Sequence, residues 1–242
     1  MSHIHVPDGV LPFWLCFCAY LIIFIYLIIF SFNFKKMELN KKIPLVGVMS
    51  ALMLVTMSLE LPIGYHVNLA ALSGILLGPW LAILSIFIVN IILAFLGHGG
   101  VTVIGLNTIV VSIEAVLAYF IFKGMMRWSR KTFRSVFLAT FIALFVSAWS
   151  TIGLVYLGTN NTNYLRYDDD KAGKVHHVQK AANNDVLDFN IKKFIFLILV
   201  LGLVGWSLES LITAFIVSYI SRTKPEILEN SVGHELYTSE QE

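Results

Sequence analysis

Two histidines and an aspartate crowd the first nine residues, Met1-Ser2-His3-Ile4-His5-Val6-Pro7-Asp8-Gly9, directly ahead of a long apolar run. Imidazole is a ligand for nickel, copper, zinc and related ions, and an amine beside a histidine completes a compact nitrogen set around one of them. The competing reading is that His3 and His5 are polar residues flanking a helix at a membrane surface. Two further histidines stand at turns: His66 follows Pro62-Ile63-Gly64-Tyr65, and His98 sits among Gly97, Gly99 and Gly100. His66 precedes a short apolar piece broken at Gly78-Pro79, and a membrane tolerates such backbone only when it is buried in protein or lines a cavity. This favours His66 as a ligand over His98, whose glycines serve tight chain reversal. His176 and His177 lie in a polar stretch and read as solvated.

Carboxylates inside apolar runs are costly, so each is a functional candidate. Glu60 closes an apolar run, where headgroups could solvate it. Glu114 and Glu209 lie deeper and require a partner or a proton, either to handle ions or to join helices. No Gly-x4-Gly-Lys-Ser/Thr loop occurs, so any ATP-driven step needs another protein. No nucleophile and base stand at a recognisable spacing, and the chain is not expected to be an enzyme.

The elements that must position these groups follow from composition. With 57% hydrophobic and 13% charged residues over 242 positions, and a mean hydropathy of +0.79, the chain cannot coat a soluble globule. The expectation is an all-α, multi-pass protein of the cell membrane. A spanning helix needs about 20 apolar residues. Seven segments fit: 12–32, 43–61, a short piece from Val67 to Gly78, 80–96, 101–122, 136–157 and 191–220. The first begins after histidines rather than basic residues and ends in Lys35 and Lys36, so it reads as a retained helix rather than a cleaved signal. Residues 1–222 form one membrane domain with a polar loop at 158–190, and residues 223–242 a charged cytoplasmic tail. Lys35, Lys36, Lys41, Lys42, Lys123, Arg127, Arg130, Lys131, Arg134, Arg222 and Lys224 fall on one side; Arg166, Lys171, Lys174, Lys180, Lys192 and Lys193 fall on the other. Inner loops carry the excess of basic residues, which predicts the N-terminus outside and the C-terminus inside. The N-terminal histidines, His66 and the Gly97–Gly100 turn then share the outer face. Cys16 and Cys18 point in different directions on a helix and act as small apolar fillers. Gly47 with Ala51, and Gly74 with Gly78, are small residues four apart that permit close helix contact, internal or with another subunit.

Three motifs carry a resemblance. His5-Val6-Pro7-Asp8-Gly9-Val10-Leu11-Pro12, then His66-Val67-Asn68-Leu69 with Gly74-Ile75-Leu76-Leu77-Gly78-Pro79-Trp80, then Gly97-His98-Gly99-Gly100-Val101-Thr102 with Gly105-Leu106-Asn107 occur in that order. Together they resemble the CbiM/NikM family, the substrate-binding components of energy-coupling factor transporters for cobalt and nickel. The motifs span the first half of the chain; the second half matches in hydropathy alone.

The resemblance implies seven helices with the N-terminus outside, in agreement with the charge count. It implies that the transported ion, Co(II) or Ni(II), is cargo rather than a resident cofactor. It also implies a transmembrane coupling subunit, two ATPase subunits and a small accessory membrane subunit as partners. The metal in such proteins is held by the terminal amine, by the amide and imidazole of the adjacent histidine, and by the histidine of the second motif. By motif those histidines are His5 and His66. Four nitrogens near one plane suit Ni(II) and Cu(II).

This chain departs from the pattern, because four residues precede His5 where family members begin Met-His. Either Met1 is removed and Ser2-His3 supplies amine, amide and imidazole, with His5 or His66 completing the set, or Met1-Ser2-His3 chelates alone. Asp8 shapes the turn after His5, and Asn68 and Asn107 are candidates for holding ligand-bearing loops through hydrogen bonds. The alternative function is a metal-sensing or structural membrane subunit that transports no ion.

Overall fold

In a computed structural model the described residues are 13–33, 36–58, 66–97, 100–129, 131–169 and 191–232. Met1, Ser2, His3, His5, Asp8, Glu60, His98, His176 and His177 lie outside them. The described chain is all-α: α1 (Phe13–Asn33), α2 (Lys36–Ser58), α3 (Ala70–Leu77), α4 (Pro79–Phe95), α5 (Ile104–Ser129), α6 (Thr132–Asp169), α7 (Ile191–Thr223) and α8 (Pro225–Val232), with a 3-10 turn at Val101–Val103 before α5.

Phe13–Phe32, Val101–Trp128, Thr132–Gly153 and Gly202–Thr223 are long and apolar enough to cross a membrane. α2 and α4 supply the shorter apolar stretches Lys42–Ser58 and Pro79–Phe95. The protein is a multi-pass membrane protein whose apolar surface faces lipid over much of α1, α2 and α7. Cys16 is buried and Cys18 exposed, as two neighbours on one helix must be.

The broken third segment is the centre of the bundle. All eight residues of α3 are buried, which fits a helix that is apolar all round. Packed about it are Met53 of α2, Leu81 and Ile86 of α4, Ala115, Ala118 and Phe122 of α5 and Val217 of α7. α3 stops because Gly78 adopts φ 80° and ψ 167°, a conformation open to glycine and strained for other residues. Pro79 then opens α4, where its missing N–H is no loss.

Small residues set two helix contacts. A Cβ on Gly74 would lie 2.0 Å from the Ala115 carbonyl oxygen, so α3 touches the α5 backbone there. A Cβ on Gly105 would meet the α1 backbone 2.9 Å away at the Tyr20 nitrogen. Gly74 thus serves the close packing its spacing suggested, and Gly78 serves the turn instead. Gly47 has nothing within 4 Å of an added Cβ, and Ala51 is exposed, so that pair faces no other helix of the bundle.

Two boundaries differ from those read from sequence. α2 begins at Lys36 and runs through Pro44 rather than starting near Ile43. α6 extends to Asp169, so the first third of the polar loop expected at 158–190 is helical. Between residues 132 and 169 there is no proline to stop propagation, which adds one hydrogen bond per residue fixed. The charged tail begins with a docked helix: Leu228 of α8 joins the main core, and the Ser231 hydroxyl donates to the Ile75 carbonyl of α3 at 2.5 Å. The Tyr119 hydroxyl of α5 in turn donates to the Ser231 carbonyl at 3.0 Å.

Candidate functional site

The second motif leads into α3 through four residues without regular structure, His66 to Leu69. His66 and Val67 are half-buried, and Asn68 and Leu69 are buried. A helix start leaves its first N–H groups without intrahelical acceptors. In water a Ser, Thr or Asp cap would take them; in hydrocarbon each unmet donor costs several kcal/mol.

Here the acceptors come from three places. The Asn68 side-chain oxygen accepts from the Ala70 N–H, a two-residue Asx turn. Glu114 of α5 accepts the Ala71 N–H on Oε1 at 3.2 Å and the Asn68 side-chain Nδ2 on Oε2 at 3.1 Å. Glu209 of α7 accepts the Leu69 N–H on Oε1 at 3.1 Å. Ser73 then begins the regular ladder by donating to the Leu69 carbonyl at 3.0 Å. Both glutamates are 0% exposed. Carboxyl oxygens meet donor-only N–H groups at the positive end of a helix dipole, which gives two buried acids polar partners in an apolar bundle.

Leu69 makes this turn with φ 56° and ψ 20°. It is the one non-glycine residue with positive φ among the described residues. A leucine in this region costs about 1–2 kcal/mol. The Glu209 bond to the Leu69 N–H holds that turn from a separate helix.

The depth of the cluster follows from helix geometry. Glu114 lies 15 residues before the end of α5 and Glu209 lies 14 residues before the end of α7. At 1.5 Å per residue these are about 22 and 21 Å, so both acids lie several turns inside their helices rather than at an end. His66 is two residues from Asn68, at most about 7 Å of chain. The sequence expected the backbone after His66 to be buried in protein or to line a cavity, and Asn68 and Leu69 are buried.

The third motif borders the same region. Tyr20 of α1 donates its hydroxyl to the Val101 carbonyl, and Gly105 receives the α1 backbone beside it. Further along, Tyr26 stacks on Trp80 with ring centroids 5.8 Å apart and donates to its carbonyl. α1, which follows directly on the first motif, is therefore fastened to the third motif and to the residue closing the second. Asn107 is buried on α5 two turns before Glu114. The Asn90 side-chain amide of α4 donates to Thr108 Oγ1 at 3.1 Å, which ties α4 to α5 nearby.

Of the residues singled out from sequence, His66, Asn68 and Asn107 are described, and Asn68 does hold the chain after His66. Among the described residues no three His, Cys, Asp or Glu side chains gather as a metal-binding group. The N-terminal candidates and His98 lie outside that set. The sequence marked Glu114 and Glu209 as needing partners and left open whether they join helices. Their partners include the Leu69 and Ala71 backbone amides, which carry no label in a sequence, and for Glu114 the Asn68 side chain.

Residues 5–227 match the family CbiM, described as the cobalt uptake substrate-specific transmembrane region. A protein of Methanocorpusculum labreanum named as a cobalt transport protein, CbiM, is 26% identical over 234 residues, covering 93% of this chain and 92% of that one. A protein of Archaeoglobus fulgidus named as a fused nickel transport protein, NikMN, is 25% identical over 235 residues, 95% of this chain and 69% of that one. A protein of Methanocaldococcus jannaschii named as a metal transport protein is 37% identical over 114 residues, 43% of this chain, and the match spans 49% of that relative's length. Among solved structures, one titled a transition metal transporter superposes with a TM-score of 0.68 at 20% identity over 90% of this chain and 93% of that one. A truncated transition metal transporter does so at 0.66 and 20%, over 90% and 99%. With its fold shared and nearly its whole length matched, the chain belongs to the CbiM family of cobalt uptake substrate-specific transmembrane proteins.

Proposed function

We propose that the protein is the ion-capturing membrane component of an ATP-driven energy-coupling factor uptake system for divalent cobalt or nickel. It takes the ion on the outer face, with its N-terminus outside and its C-terminus inside. The ligands are His66 together with His5 or His3 and a nitrogen of the N-terminal segment, the terminal amine of Met1 or Ser2 included. Asp8, Asn68 and Asn107 support the loops that bear them, and His98 stays secondary. A transmembrane coupling subunit, two ATPases and a small accessory membrane subunit complete the system, because the chain carries no nucleotide-binding loop of its own.

The observation that carries this reading is the ordered set of three motifs, the second of which leads into the buried α3 and the third of which packs on α1. His66 heads the buried turn into α3, and α1, which leads back to the first motif, is seated on Gly105 and Val101 of the third. Broken helices with their N-termini at membrane depth are where membrane transporters build substrate sites. Nitrogen ligands accept either metal, so the selection between them rests on geometry and supply.

The test is metal binding by purified protein with a native N-terminus, compared with His66→Ala and with an N-terminal extension. Both changes are expected to weaken Ni(II) and Co(II) binding strongly. Unchanged affinity in both variants refutes the proposed site. Intact mass measurement decides the N-terminal register: retained Met1 eliminates the scheme built on a Ser2 amine.

A further inference from the structure

We infer that Glu114 and Glu209 are positioning residues for metal capture, holding the backbone from Asn68 to Ala71 in the one conformation that aims His66 at the ion. The inference rests on the proposed role of His66 and concerns how that imidazole is held.

The cheaper way to start a buried helix is a Ser, Thr, Asn or Asp cap at the first position, which needs no second helix. This chain has Leu69 there, in the left-handed region, with φ 56°. Its N–H is taken by Glu209 from α7, and the N–H two residues on is taken by Glu114 from α5. Two buried carboxylates and a left-handed leucine are each unfavourable, and such features persist where the surroundings over-determine them, typically at functional sites. They converge on the segment that carries His66, the one histidine among the described residues. Groups that orient a metal ligand from behind are a general requirement, since an imidazole free to swing forfeits the geometry the metal selects.

The hydrogen-bond pattern makes the two glutamates respond differently to the same change. Glu114 offers both oxygens to donors, the Ala71 N–H and the Asn68 Nδ2. Asn68 cannot turn its amide over without losing its bond from the Ala70 N–H. A glutamine at 114 therefore sets an NH2 group against a donor whichever way it faces. At 209 a glutamine still offers an oxygen to the Leu69 N–H and a leucine offers none.

The experiment is Ni(II) titration of the purified full-length chain by calorimetry, with the ligand-field absorption of the bound Ni(II) and the melting of the metal-free protein recorded for each variant. Glu114→Gln and Glu209→Leu are expected to weaken Ni(II) binding by about 10–100-fold and to shift the absorption, while Glu209→Gln loses less than Glu209→Leu in both. Parental affinity and absorption in both Glu114→Gln and Glu209→Leu overturn the inference. If Glu114→Gln does not fold, the Glu209 pair decides: a glutamine no better than leucine at 209 overturns it, and recovery by glutamine supports it. The two levels separate cleanly. Equal binding by the parent and His66→Ala refutes the proposed ligand role of His66, whereas a loss in His66→Ala with unchanged glutamate variants refutes only the positioning role.

Discussion

Replacing Gly74 by alanine tests whether the central helix is held as closely as its contacts require. The added Cβ would lie 2.0 Å from the Ala115 carbonyl oxygen, 2.7 Å from its carbonyl carbon and 2.9 Å from its Cα. All three are backbone atoms of α5, so no side chain can turn away. Ordinary contact near 3.4 Å requires α3 and α5 to separate by about 1.4 Å at that point. Such overpacking costs about 1–3 kcal/mol. The displacement acts one turn from the bond between the Ala71 N–H and Glu114, now 3.2 Å long, and stretching it by a similar amount breaks it. A buried donor left unmet adds about 1–3 kcal/mol.

The combined loss of about 2–6 kcal/mol corresponds to a fall in melting temperature of roughly 5–20 °C. The assay is thermal unfolding in detergent followed by helical circular dichroism, with Ni(II) titration below the transition. Gly47→Ala is the control: nothing lies within 4 Å of its added Cβ and it sits inside α2, so alanine there is neutral or stabilises by up to about 1 kcal/mol. If Gly74→Ala melts within about 2 °C of the parent, α3 is not seated on the α5 backbone and the route from that contact to the Glu114 cluster is refuted.

Gly105→Val sets a branched side chain against the Tyr20 and Ala19 backbone and should pry α1 from α5; the expected result is a clear loss of Ni(II) affinity with a smaller change in melting than Gly74→Ala causes. A larger change in melting than in affinity would show that α1 braces the bundle rather than placing the first motif. Metal ligands must shed protons to bind, so Ni(II) affinity should fall as the pH drops and binding should release protons into the buffer; calorimetry in buffers of different ionisation heat measures that release. Measured below a pH of about 6, where both groups ordinarily carry a proton, its absence excludes imidazole and amine nitrogens as the ligands.

Sequence alone settled everything that depends on composition and local rules. Apolar runs of about 20 residues declared a multi-pass helical protein, because a segment of that length and composition satisfies its own backbone in lipid as a helix. Gly78-Pro79 marked the break after the third segment, since a glycine with positive φ and a proline at N1 are local requirements. The three motifs pointed to the family. The end of α6 was misplaced because polar composition suggests a loop, while a helix without a breaker continues.

What no local rule could supply was the partner of each buried acid. Glu114 and Glu209 stand 95 positions apart and meet only because α5 and α7 both pack on α3. Besides the Asn68 side chain, their oxygens serve backbone amides of a third segment, which any residue but proline offers. The left-handed turn at Leu69 is equally silent in sequence, since leucine does not advertise it and the bond to Glu209 comes from a distant helix. The docking of α8 on α3 belongs to the same class, because a charged tail becomes core only when a short helix leaves a face for Leu228 and Ser231 to cover. The types of residue needed for metal capture were thus legible along the chain; the depth and rigidity of the His66 segment arise from three helices meeting at one point.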